Sequence, residues 1–143
     1  MAVVLSLLAI SSGRAAEVME RMIAAQGGDP RVVRDPTRMP LAEVTVAIEA
    51  ETAGVVTGID ALEIGLAGVA MGAGRTRADQ KVDPAVGIDI EVPRGARVER
   101  GQPLAKLYVR RAEDADAVRA RVRGAFQIGE AAAVPELVLG RIG

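Results

Sequence analysis

The residues of this chain best suited to chemistry lie in the run Gly72-Ala73-Gly74-Arg75-Thr76-Arg77. Successive glycine amides can form a concave nest for an anion, and two arginines would add charge-assisted donors. Gly72, Gly74, Arg75 and Arg77 are therefore the candidate site residues, with an anion as the ligand that would suit them. The run does not follow a strand, as a phosphate-binding loop should, and a single Gly-x-Gly-Arg is a weak motif. A solvated loop that ends a helix is the plainer reading. Asp79, Asp83 and Asp89 would hold Mg²⁺ only if this loop wrapped around the ion. They read as surface acids, and neither a metal site nor a cofactor is expected.

Composition removes most other catalytic arrangements. The chain has no Cys and no His. Thiolate nucleophiles, disulfides, His-ligated metals and Ser/His/Asp or Cys/His arrangements are excluded. With 18 basic and 19 acidic residues the net charge is −1. No block of like charge marks a nucleic-acid stripe, and no nucleic-acid partner is expected. Glu49/Glu51 read as a solvated strand face. Glu113, Asp114 and Asp116 read as the acidic first turn of a helix, where they suit its dipole.

Elements must hold the 72–77 loop in place. The 143 residues suffice for one domain with a short appendage, and half of them are hydrophobic. One Phe, one Tyr and no Trp leave the packing to Val, Ala, Leu and Ile. Ser12 is the expected N-cap of a helix from about Arg14 to Gln26, with Val18, Met22 and Ala25 at helical spacing and Gly27-Gly28 as its stop. Pro30, Pro36 and Pro40 fall within eleven residues and exclude a regular helix, which marks a connector. The expected division is a helical segment over 1–28, a linker over 29–42 and a domain over 43–143.

Within that domain Val44, Val46, Ile48 and Ala50 alternate with Thr45, Ala47, Glu49 and Glu51, which predicts a strand. Gly54 turns the chain, and Val55-Val56-Thr57 opens a second strand. Asp60 and Glu63 form a capping box for a helix carrying Leu62, Ile64, Leu66, Val69 and Met71. Gly65 and Gly68 inside that helix cost about 1 kcal/mol each relative to Ala, and close approach to a sheet is the expected compensation. A polar loop runs from Gly72 to Pro84. Ile88, Ile90 and Val92 then predict a strand, Pro93-Arg94-Gly95 and Arg100-Gly101 turns, and 104–109 a strand with both faces largely covered. A helix from Glu113 to Ala125 places Ala115, Val118 and Val122 on one side. Phe126-Gln127-Ile128 is a short return strand, and Pro135 to Ile142 a terminal extended segment. Short strands in mixed connection with two inserted helices argue an α+β fold.

The turns carry a further rhythm. From Val92 to Leu104, each Gly is followed three residues later by an apolar residue, as in a flattened β-sandwich. Similar phrasing occurs in lipoyl and biotinyl carrier domains, which present a modified Lys beside Met in a tight hairpin. Lys81 and Lys106 have no neighbouring Met, and Lys106 falls within a core strand, so a scaffold role is preferred to a carrier role.

Four segments in order, Arg21–Pro30 (RMIAAQGGDP), Met71–Arg75 (MGAGR), Asp83–Gly87 (DPAVG) and Gly95–Gly101 (GARVERG), resemble the C-terminal end of the pyrimidine nucleoside phosphorylases, thymidine phosphorylase among them. The resemblance runs from about Gly13 to the C-terminus. It implies an α/β-hammerhead domain, related to barrel-sandwich hybrids and preceded by a helix that ends an α/β domain. The family's reaction is reversible phosphorolysis of a pyrimidine nucleoside to base and pentose 1-phosphate. Its phosphate loop, its base-binding Arg, Ser and Lys, and its His lie upstream of the matched part, so no catalytic residue carries over. The 72–77 loop resembles a family loop beside the active-site cleft, where it would assist closure. The implied partners are the missing phosphorylase domains, with phosphate and nucleoside bound only in the full enzyme, in the cytoplasm.

Ala2–Ile10 is apolar but lacks a basic flank and a clean cleavage site, and it is too short to span a bilayer. It is expected to be a buried helix or the remnant of one, with no membrane role. Met1–Ser12 departs from the family pattern, as expected of a truncated or split phosphorylase, or of a free-standing relic. In the second case the chain would be a non-catalytic module, self-associating through its apolar N-terminal helix.

Overall fold

The computed structural model describes residues 2–132 and Gly140, with side chains from Ser6 onward. The extended segment expected from Pro135 to Ile142 lies, apart from Gly140, outside the described residues. The chain divides into two compact units, Met1–Pro40 and Leu41–Gly143.

The first unit holds helices α1 (Ala2–Ser11) and α2 (Arg14–Ala25), then two short 3₁₀ turns at Pro30–Val33 and Pro36–Arg38. The prolines sit at the start of each turn, where the missing N–H costs nothing, and Asp29 and Asp35 cap them by accepting from the amides of Arg31 and Thr37. Ser12 is not the N-cap of α2. Gly13 holds that position in the left-handed region, at φ 78°, while the Ser12 hydroxyl turns back to the Ala9 carbonyl of α1. α2 closes as expected: Gly27 has φ 81° and the Gly28 amide reaches the Ile23 carbonyl. The apolar α1 is a helix but not a buried one, since Leu7, Leu8 and Ile10 are exposed. No helix among the described residues is long and apolar enough to cross a membrane.

The second unit is α+β. Strands β1 (Val44–Glu49), β5 (Pro103–Val109) and β3 (Gly87–Ile90) form one antiparallel sheet in the order β1-β5-β3. Strands β4 (Arg97–Val98), β2 (Gly54–Ile59) and β6 (Phe126–Gly129) form the other, in the order β4-β2-β6. Helix α3 (Ala61–Met71) links β2 to β3, and α4 (Ala112–Gly124) links β5 to β6. Ile48, Val56, Val98, Leu107, Val109 and Val122 bury their side chains in one aliphatic core to which both sheets and α4 contribute. β5 buries Ala105, Leu107 and Val109 completely, whereas Lys106 and Tyr108 on its other face stay half-exposed. That outer face is therefore less covered than the apolar run suggests.

The turns between β3 and β5 follow from two glycines. Ala96 donates to Pro93, and Gln102 to Glu99, closing four-residue turns whose third residues are Gly95 and Gly101, at φ 91° and 84°. A positive φ at that position is what a type II turn requires.

Asp60 caps α3 by accepting from the amides of Leu62 and Glu63. The reciprocal half of the capping box is absent: the Asp60 amide donates to the Ala125 carbonyl, and Glu63 pairs with Arg121 instead. The two α3 glycines are not explained by a nearby sheet. A Cβ on Gly65 would meet nothing within 4 Å, and one on Gly68 would only touch the Ala73 Cβ at 4.0 Å. Gly65→Ala should therefore raise the unfolding free energy of the isolated chain by about 1 kcal/mol, the helix-propensity difference undiminished by any clash. Urea titration followed by far-ultraviolet circular dichroism checks this, and a loss of stability would contradict it.

Candidate functional site

The 72–84 loop leaves the C-terminus of α3 and returns to β3. Gly72 ends the helix at φ 103°, its amide and that of Ala73 donating to the Val69 and Gly68 carbonyls. Gly74 is required by packing, because a Cβ there would stand 2.6 Å from Val69 Cγ2 and 3.4 Å from Val69 Cα. Both glycines thus have backbone tasks. The donors that converge lie further on. Gln80 Oε1 accepts from the Thr76 amide (2.8 Å), the Thr76 hydroxyl (3.0 Å) and the Arg77 amide (3.2 Å). Arg77 forms a bidentate pair with Asp79 (3.1 and 2.7 Å), and Arg75 reaches the Ala78 carbonyl at 3.5 Å. A groove of about 560 Å³ runs beside the loop, lined by Leu66, Val69 and Ala70 of α3 together with Gln80, Lys81 and Arg121.

The loop is anchored at its base. The Asp83 amide donates to the Gly72 carbonyl at 2.9 Å, drawing the two ends together. The Asp83 carboxylate accepts from Arg110 Nε (2.7 Å), Arg110 Nη2 (2.9 Å) and the Ala85 amide (3.0 Å). The Arg110 guanidinium, followed by the Ala85 amide, holds the Asp83 carboxyl at about 2, below its ordinary 3.8. A depressed folded value means that this anchor contributes in full above the ordinary carboxyl range. It is lost as pH falls through about 2. Carbonyl-detected NMR titration should find the Asp83 midpoint near 2 in the native chain, moving up toward 3.8 in Arg110→Ala. A native midpoint already at the ordinary value would sink the anchor.

The three acids weighed as a metal set do not meet. Asp83 faces Arg110, Asp79 faces Arg77, and Asp89 accepts from the Tyr108 hydroxyl at 3.0 Å. That contact raises the Tyr108 pKa, mainly because the Asp89 carboxylate holds the phenol proton. Lys106 sits mid-strand in β5 and pairs with Glu91 at 3.1 Å, which holds its proton and raises its pKa. It is not at a hairpin tip. Lys81 lies in the 72–84 loop. No polar or charged residue is buried among those described.

Sequence reading missed Gln80 and the Asp83–Arg110 pair. The i to i+4 spacing from Thr76 to Gln80 and the turn-forming Asp83-Pro84 dipeptide were the available signals. The pairing with Arg110, 27 residues on, had none.

An antiparallel two-sheet α+β domain, with one glycine-led polar loop pinned to the arginine that follows strand β5, is the class of module these observations define. Residues 55–129 match the family described as the pyrimidine nucleoside phosphorylase C-terminal domain, and the chain belongs to that family. It is 44% identical over 121 residues to a thymidine phosphorylase of Mesorhizobium japonicum, covering 84% of this chain and 28% of that protein. It is 39% identical over 129 residues to a pyrimidine-nucleoside phosphorylase of Bacillus subtilis, covering 90% of this chain and 30% of that protein. A thymidine phosphorylase of Burkholderia lata is 38% identical over 138 residues, covering 96% and 32%. The chain thus spans about three tenths of the length of these relatives.

Proposed function

We propose that this chain acts as the C-terminal part of a pyrimidine nucleoside phosphorylase, a cytoplasmic pentosyltransferase of pyrimidine salvage, and is catalytically silent without the remaining domains. The observation that carries this reading is the match to curated phosphorylases over 84–96% of the chain but only 28–32% of theirs. The chemistry agrees. Phosphorolysis needs groups that hold phosphate and base and handle a proton, yet the chain has no His and no buried charged residue among those described. Its ionisable side chains with shifted pKa values are surface ion pairs and one Tyr–Asp contact. The hammerhead description of the fold belongs to the same reading.

In the assembled enzyme the loop bearing Gly72, Gly74, Arg75 and Arg77 faces the substrate cleft. Its internal bonds through Gln80 and Asp83 make it a pre-shaped wall rather than a bare tether. Pure chain incubated with phosphate and thymidine or uridine should release no free base. The same chain added to lysate from a host lacking its own phosphorylase should also release none. Turnover by the chain alone would overturn the assignment of catalysis to other domains.

The exposed Leu7, Leu8 and Ile10 of α1 favour a second reading, a non-catalytic module that self-associates through its N-terminal helix. Sedimentation of native chain against Leu8→Asp decides it: a dimer lost in the variant supports self-association through α1, and a native monomer removes it.

A further inference from the structure

α3 is apolar on both sides yet buries only Ala67. Its inward side places Ile64, Ala67 and Met71 against the core. The opposite side carries Leu62, Leu66 and Val69, flanked by Gly65 and Ala70, with Leu62 69% and Leu66 41% exposed. Glu63 is the only charge on the helix, and it is already paired with Arg121, which lines the groove beside this face. A helix apolar all round is normally covered all round.

Two further observations point outward. Gly65 lies beside Leu62 and Leu66, has no positive φ, and would meet nothing if it carried a Cβ. Nothing among the described residues calls for glycine there, whereas a second backbone laid across the face would. The adjoining groove continues the apolar wall of Leu66 and Val69 to Lys81, which makes no ion pair among the described residues. An occupant with apolar side chains and an acid at that end would complete both.

Resting on the reading under Proposed function, we propose that the outer face of α3, from Leu62 to Val69, is where the remainder of the phosphorylase polypeptide docks on this domain. The relatives supply such an occupant, since the matched part is only 28–32% of their length and the larger remainder belongs to the same polypeptide. A second copy of this chain would bring its own Lys81, and the one acid of its α3, Glu63, is already paired with Arg121, so it fits the groove less well.

The test is co-expression of the full chain with the tagged portion of the Mesorhizobium japonicum thymidine phosphorylase that lies outside its matched 28%, so that the two fold together. Native chain should co-purify, and affinity should fall roughly 30-fold or more in Leu66→Asp, the loss expected at the centre of an interface. Gly65→Leu should weaken binding about tenfold or more by holding the partner backbone off. Both substitutions are at exposed positions, so each variant should keep a melting temperature within a few degrees of native. Retained binding by both folded variants would overturn the α3 assignment and leave the phosphorylase reading standing. No complex with native chain would remove that reading and this one together. Self-association abolished by Leu66→Asp would assign the face to a second copy and overturn the proposal.

Discussion

Leu107→Ala is expected to lower the unfolding free energy of the 41–143 unit by about 4 kcal/mol, the largest loss anticipated from any single substitution in the chain. Leu107 is fully buried and sits at the centre of β5, opposite Val46 on β1 and Ile88 on β3. The cost of such a truncation depends on how far the surroundings can collapse into the space. Here they cannot move far. Neighbours in this core are mostly Val, Ile and Ala, and branched side chains have few rotamers with which to fill a gap. The core has one Phe and no Trp to rearrange. Against a total of roughly 5–15 kcal/mol for a domain, that loss leaves little. Leu107→Met, which conserves volume, should cost under about 1.5 kcal/mol. Urea unfolding followed by circular dichroism reads both. A Leu107→Ala cost below that of the Met variant would mean that the two sheets do not share one core.

Much of this architecture could be read from residues whose signals are local. The alternation at 44–50 and from Ile88 to Val92 gives strands because side chains on a strand face opposite sides in turn. Asp60 announces α3, and Gly95 and Gly101 announce their turns, because each need is met within four residues. The segments that carry the family resemblance lie largely at helix ends and turns, where the local signals are also strongest.

What escaped was set by partners distant in sequence. The division of the strands into β1-β5-β3 and β4-β2-β6 interleaves the chain order, and no local pattern specifies it. Glu63 looked like the second half of a capping box until α4 supplied Arg121 and β6 took the Asp60 amide through the Ala125 carbonyl that precedes it. Ser12 looked like a cap, but only Ser12 and Gly13 join the two helices of the first unit, and Gly13, at positive φ, takes the cap position. At the candidate site, the glycines admit a nest for an anion or, more plainly, a loop that ends a helix. Gly72 serves the helix end, Gly74 answers to Val69, and the convergent donors at Thr76 and Arg77 meet Gln80. Glycine in a sequence says that a Cβ is unwelcome, not why.

That ambiguity makes Gly54→Ala the second substitution with a large expected effect, a loss of about 2 kcal/mol. Gly54 opens β2, pairing with Val98 of β4, while its neighbour Val55 pairs with Gly129 of β6. Its φ is not positive, so alanine could adopt the backbone conformation. The obstacle is space: a Cβ would stand 2.6 Å from Ile128 Cγ2 and 2.9 Å from the Gly129 carbonyl oxygen. The methyl of Ile128 can rotate aside, but the carbonyl belongs to β6 and can retreat only by loosening the β2–β6 ladder. The cost should therefore appear with faster amide exchange at β6. Gly65→Ala makes the same chemical change with the opposite expected sign, because nothing stands where its Cβ would go. Measured together by urea unfolding and hydrogen exchange, the pair separates a glycine required by a neighbouring strand from one with no requirement among the described residues. If both substitutions destabilise, Gly65 has an internal role and the argument for an outside partner on α3 loses its second support. If Gly65→Ala alone stabilises, the glycine on that face is left for a partner to explain.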